Sequence, residues 1–180
     1  MTEGIYSSPD FARQFRVVRN KTLQIAEDIP ESKYSFAPAP DCRTVAALLT
    51  HIAVAPRLWF EVHGKLRAQT LIGYDFATPF LAVKAEETKT RSKADIIRLL
   101  RDEGETFAKW LETLTPEYLG ERVAVGDGNG TKLRFEQILG AKEHEMHHRG
   151  QLMLIERMLG IVPHLTRQAE QQRSRVAARN

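Results

Sequence analysis

The sequence predicts an all-α fold, a four-helix bundle with one long crossover connection and a short turn or hairpin before the last helix. Apolar residues recur at spacings of three and four in four segments, which marks one buried face on each of four helices. Strand-like alternation is confined to the few residues around Val123 and Val125. With 180 residues, 42% of them hydrophobic, the chain holds material for one core and not two, and disordered and collagen-like classes are excluded. The expected division is one helical domain over 1–166 and a basic tail over 167–180.

In the first segment Phe11, Phe15, Val18, Thr22, Ile25 and Ile29 recur at spacings of 4, 3, 4, 3 and 4. Ser8 is the expected cap, with Pro9 in the first helical position, where a missing N–H costs nothing. Pro30, Pro38 and Pro40 then force a connection. A second helix is expected from Thr44 to His63, with Val45, Leu48, Leu49, Ile52 and Leu58 inward and a kink at Pro56. Residues Gly64 to Arg91 have mixed polarity and enough length to cross the end of a bundle. Ser92 caps a third helix, in which Ile96, Leu99, Leu100, Glu103, Phe107, Trp110, Leu111 and Leu114 recur up to Pro116. The alternating glycines Gly126, Gly128 and Gly130 demand a turn.

The fourth helix, Leu133 to Leu159 with Gly160 as its stop, carries Ile138, Ala141, Glu145, His148, Leu152, Ile155 and Leu159 on one stripe. Gly140 and Gly150 each cost such a helix about 1 kcal/mol relative to alanine, and close approach of a neighbouring backbone is the expected compensation.

Charge and targeting features narrow the functional classes. The net charge is +3, too small to announce nucleic-acid binding, and the excess gathers in the tail as Arg167, Arg173, Arg175 and Arg179 against Glu170. That tail reads as frayed and solvated, with phosphate or partner docking as the alternative. The longest apolar run, Val45 to Pro56, has about 12 residues where a membrane span needs about 20, so a core helix and no membrane partner are expected. Met1-Thr-Glu-Gly4 has neither a basic nor an apolar leader region, and Cys42 is the only cysteine. Both fit a cytoplasmic location.

The histidines carry the chemistry. His148 lies on the core stripe and His144, one turn earlier, about 40° to its side, so the two can chelate one ion. His51 shares a face with Leu48, Ala55 and Leu58 on the second helix and projects inward. Three imidazoles with further positions open form the pattern of a catalytic metal site, whereas structural zinc sites are closed by a fourth protein ligand. For His51 alone, a core histidine bonded to a backbone carbonyl is the simpler alternative. His147 lies about 60° from His144 on its other side, and a 144/147 chelate stays open. His144-Glu-Met-His-His148 also matches H-E-x-x-H, the zinc-peptidase helix, in which Glu145 would be a base and Glu156 or Glu170 a third ligand. The near absence of strand and the glutamine at position 151 argue against that reading.

Ala37-Pro-Ala-Pro40 leading into Leu48-Leu-Thr-His51, a long middle, and His144-Glu-Met-His-His-Arg-Gly-Gln151 together resemble the DinB/YfiT-type family. Its members are small four-helix-bundle proteins regarded as metalloenzymes, and the similarity covers nearly the whole chain. The resemblance implies His51, His144 and His148 as ligands of a divalent metal, commonly nickel or zinc, and often a homodimer; three imidazoles suit iron as well. Some relatives are transferases or isomerases that use a low-molecular-weight thiol such as bacillithiol or mycothiol, and some are suspected hydrolases. The family name records damage-inducible expression in some relatives. The expected function is therefore a metal-dependent S-transferase or hydrolase whose open coordination position takes a thiol or water. Glu145 is the expected acceptor or proton carrier beside it. A non-catalytic metal-binding stress-response protein is the alternative.

Overall fold

Ser7 starts the first helix, one residue before the expected cap. In the computed structural model, which describes residues 6–178, its hydroxyl accepts from the Asp10 amide while Asp10 accepts from the Ser7 amide. Met1 to Gly4 and Arg179 lie outside the described residues. Ser8 is drawn into the first turn of α1 (Ser8–Asp28), where it donates to the Leu114 carbonyl at 2.5 Å. The stripe read from spacing is buried throughout, Phe11 to Ile29. A 3₁₀ turn (Glu31–Lys33) and the proline-containing link lead to Thr44, which caps α2 (Val45–Val54).

Pro56 has no N–H to give the Ile52 carbonyl, and the helix steps there into α3 (Pro56–Trp59) and a π-helical turn (Phe60–Lys65). Val45–Lys65 together is 21 residues, longer than the apolar run suggested, and passes for a membrane span on length and composition alone. Its apolar side chains are core: Val45, Leu48, Leu49, Ile52 and Val54 pack with Leu23, Ile25, Ile29, Leu100, Leu152 and Ile155.

The crossover residues contain α4 (Ala77–Glu87), which packs along α2. Ser92 caps α5 (Lys93–Glu112) as expected, and a single turn, α6 (Pro116–Leu119), follows. The expected hairpin forms from β1 (Arg122–Ala124) and β2 (Thr131–Leu133), antiparallel with Val123 opposite Lys132. Gly128 and Gly130 adopt φ of 76° and 108° to close it. Then come α7 (Arg134–Met158), stopped by Gly160 at φ 77°, and α8 (His164–Ala177). The tail expected to be frayed and solvated is thus helical, with residues 168–178 exposed as expected.

α1 packs against α5 and α7, and α2 against the same two. The long helices therefore run around the bundle as α1, α5, α2, α7, with the consecutive pair α1 and α2 on a diagonal. This arrangement sets His51 of α2 beside the histidine-bearing face of α7.

Candidate metal centre

His51 from α2 and His144 and His148 from α7 converge, with one ring nitrogen from each within 4.8 Å of the others. His51 Nε2 lies 3.1 Å and His148 Nε2 3.2 Å from His144 Nε2. His51 and His148 are buried and His144 half-buried. His147 is exposed and stays outside the trio.

The outward nitrogens decide the tautomers. His51 Nδ1 lies 2.8 Å from Glu87 Oε1, and a carboxylate can only accept, so this nitrogen bears the proton. His148 Nδ1 donates to Gln151 Oε1 at 2.7 Å, and the same amide's Nε2 turns to His147 at 3.3 Å. Both Nε2 atoms therefore present lone pairs toward His144, whose single ring proton can satisfy at most one of them. At least one close pair is acceptor against acceptor, an arrangement that a cation among the three nitrogens resolves. The residues present fit a metal.

Burial holds all three rings below the ordinary imidazole pKa. For His144, desolvation with help from the neighbouring His148 and His51 pushes it down to about 3. For His51 the causes are burial and then Arg43, against an opposing pull from Glu87, and for His148 burial outweighs its bond to Gln151. All three rings thus favour the neutral, coordinating form more than free imidazole does.

Glu145 has another engagement. It is buried on α7 as its spacing requires, but its carboxylate accepts from Arg19 Nε at 3.0 Å, lies 2.9 Å from Arg19 Nη2, and accepts from Thr22 Oγ1 at 2.7 Å. Arg19 also donates to the Leu100 carbonyl at 2.6 Å and to Ile52 O at 3.1 Å, the acceptor that Pro56 left free. Gly104 makes room for this side chain, since a Cβ there would meet Arg19 Cγ at 2.9 Å. A glutamate so committed is a poor general base, which removes the basis of the peptidase reading. The carboxylate that does reach a ring is Glu87, which sequence reasoning missed. It lies in the segment without readable periodicity, and nothing local to it announces a partner 36 residues away.

Gly140 faces an indole and not a backbone: its Cβ would sit 3.3 Å from Trp59 Nε1, which donates to the Gln137 carbonyl and sets the ring 5.7 Å from His144. Gly150 has open space around it, so the close approach expected there does not occur. A cleft of about 690 Å³ adjoins the outer partners of the histidines and is lined by Arg43, Leu48, Lys84, Glu87, Gln151 and Leu154 among others.

The sequence profile of the DinB superfamily matches residues 14–152. YjoA of Bacillus subtilis (strain 168), an uncharacterized protein, is 32% identical over 143 residues, 79% of this chain and 84% of its own. The crystal structure of that DinB-like protein superposes with a TM-score of 0.60 over 83% of this chain and 91% of its own, at 26% identity. YfiT from Bacillus subtilis, described as a probable metal-dependent hydrolase with an unusual four-helix bundle topology, gives 0.66 at 16% identity, over 89% of this chain and 93% of its own. A DinB-like protein from Bacillus cereus gives 0.65 at 17%, over 86% and 93%. Matched across most of its length by the profile and by a relative that is itself largely covered, the chain belongs to the DinB superfamily.

Proposed function

We propose that this protein is a divalent-metal-dependent enzyme, a hydrolase or a thiol-dependent transferase, with His51, His144 and His148 as its metal ligands. The convergence of three neutral imidazoles on their Nε2 atoms carries the reading. When bound, the ion supplies Lewis acidity, lowering the pKa of water or a thiol and polarising an electrophile. Glu87 and Gln151 hold the protons on the outer nitrogens of His51 and His148, fixing which lone pairs face inward. Arg19 and Thr22 engage Glu145, one residue after His144, in a buried cluster separate from the three ligands. Three protein ligands without a fourth among the described residues leave room for a small molecule, which supports an enzyme over a closed structural site. YfiT's description as a probable metal-dependent hydrolase favours hydrolysis between the two reactions.

Elemental analysis tests the ligand set. The wild type is expected to retain about one zinc or nickel per chain after dialysis, and His51→Ala, His144→Ala and His148→Ala to lose most of it. Equal metal in all four proteins would overturn the assignment. A metal-loaded protein whose spectrum shows four protein ligands and no exchangeable water would leave the ligands but remove the enzyme.

A further inference from the structure

α4 differs from the other long elements in that it has no buried residue. It exposes Phe80 at 56% and Leu81 at 67%, and its main packing partner is α2. Clefts of about 690 and about 600 Å³ lie on its two sides, one lined by Lys84 and Glu87 and the other by Pro79, Ala82, Val83 and Glu86. An 11-residue helix with so little burial is marginal by itself and belongs to the low-stability end of a fold. Val83 packs against the core, and the final turn adds the polar ties. Glu87 accepts from Arg43 at 2.7 and 3.2 Å and from the His51 ring at 2.8 Å, and Glu86 pairs with Lys89 at 2.6 Å and with Arg91. The Glu87 side chain is only 9% exposed on this otherwise open helix.

We propose that Glu87 is a positioning residue for the metal ligand His51, and that through this bond metal binding strengthens the docking of α4 onto the bundle and so firms the two clefts beside it. The inference rests on the metal reading above. A carboxylate on the Nδ1 proton makes Nε2 a better donor to a cation, and a cation on Nε2 polarises the Nδ1 proton toward the carboxylate. Linkage makes the effect reciprocal: whatever factor docked Glu87 adds to metal affinity, the metal adds to the docking of α4. Carboxylate partners of metal-bound imidazoles contribute about 10–100-fold in affinity, and reciprocity carries a factor of that size to the docking of α4.

The test is amide hydrogen exchange across Ala77–Glu87 in the full chain, stripped with chelator and then saturated with zinc or nickel, alongside metal affinity by chelator competition. Saturation is expected to slow exchange in α4 about 10–100-fold in the wild type. Glu87→Ala should abolish the slowing and weaken metal by a similar factor, with Glu87→Gln between. Arg43→Ala, which removes the other partner of Glu87 and leaves the His51–Glu87 bond in place, should retain the slowing. Unchanged α4 exchange in metal-saturated wild type overturns the proposal, as does Glu87→Ala holding metal as tightly as the wild type. A wild type that takes up no metal overturns the metal reading itself, a distinct outcome. Should Glu87→Ala fail to fold by circular dichroism, the wild-type exchange comparison decides alone.

Discussion

A buried arginine is tolerated in this bundle because each of its three guanidinium nitrogens meets an acceptor. Arg19 is bound by the Glu145 carboxylate and by the Ile52 and Leu100 carbonyls, which spend its guanidinium deep among α1, α2, α5 and α7. Removing one partner of such a pair leaves an uncompensated buried charge, at a cost of about 3–5 kcal/mol. Glu145→Ala is accordingly expected to lose stability of that order in urea unfolding, while the folded fraction keeps its full metal content. Loss of metal with unchanged stability would return Glu145 to the chemical role the sequence suggested. Spacing showed that Glu145 faces inward. It could not show which group meets it there, because Arg19 is 126 residues away in the chain and on another helix. The two α7 histidines were legible for the opposite reason, since i and i+4 are neighbours wherever the helix goes.

Elements, like residues, are decided by what they dock against. The tail from Arg167 is expected to be frayed and solvated; residues 168–178 are indeed exposed, yet the tail is helical as far as Ala177, and the first turn of α8, which begins before the tail, is anchored. His164 is buried, Arg167 pairs with Asp28 of α1 at 2.6 Å, and Arg157 donates to Thr166 at 3.0 Å. Under this turn Glu156 is buried with both oxygens unpartnered, and both nitrogens of His164 and Nη1 of Arg149 are likewise unpartnered. Burial, with Asp28 nearby, raises the Glu156 pKa to about 7. Raised in the fold, this acid contributes fully below its unfolded value of 4.5, and the contribution is lost as pH rises through about 7. Glu156→Met should therefore stabilise the protein at pH 8 by about 1–3 kcal/mol and much less at pH 5. Urea midpoints at the two pH values check it, and an equal gain at both would show that the carboxylate is not the liability.

At the scale of the whole molecule, acid sensitivity follows from where the histidines ended up. His63, buried at the π-helical turn, accepts from Arg134 Nη1 at 3.1 Å, and burial followed by that cation pushes its pKa down to about 4. A histidine depressed in the fold contributes stability above its unfolded value of about 6.5, and loses it as pH falls toward the folded value. Its slope is up to about 1.4 kcal/mol per pH unit, and His144 acts in the same direction. Unfolding free energy should fall between pH 6.5 and 4.5, and His63→Gln should flatten that fall relative to wild type. Parallel pH profiles would show that His63 is not buried in its neutral form. Metal retention should likewise extend to lower pH than free imidazole suggests, because burial lowers the pKa of all three rings.

The sequence by itself determined the elements whose instructions are local. It set the four amphipathic stripes, the Ser92 cap, the glycine-closed hairpin, the Gly160 stop and the inward direction of His51, His144 and His148, all of which depend on residues within a few turns of one another. Only the tertiary structure decided the diagonal placement of α1 and α2, the docking of α4 and α8, and the partners Arg19 for Glu145 and Glu87 for His51. Those outcomes depend on which surfaces meet across the bundle, and a period of 3.6 residues tells which way a side chain faces without telling what it will face.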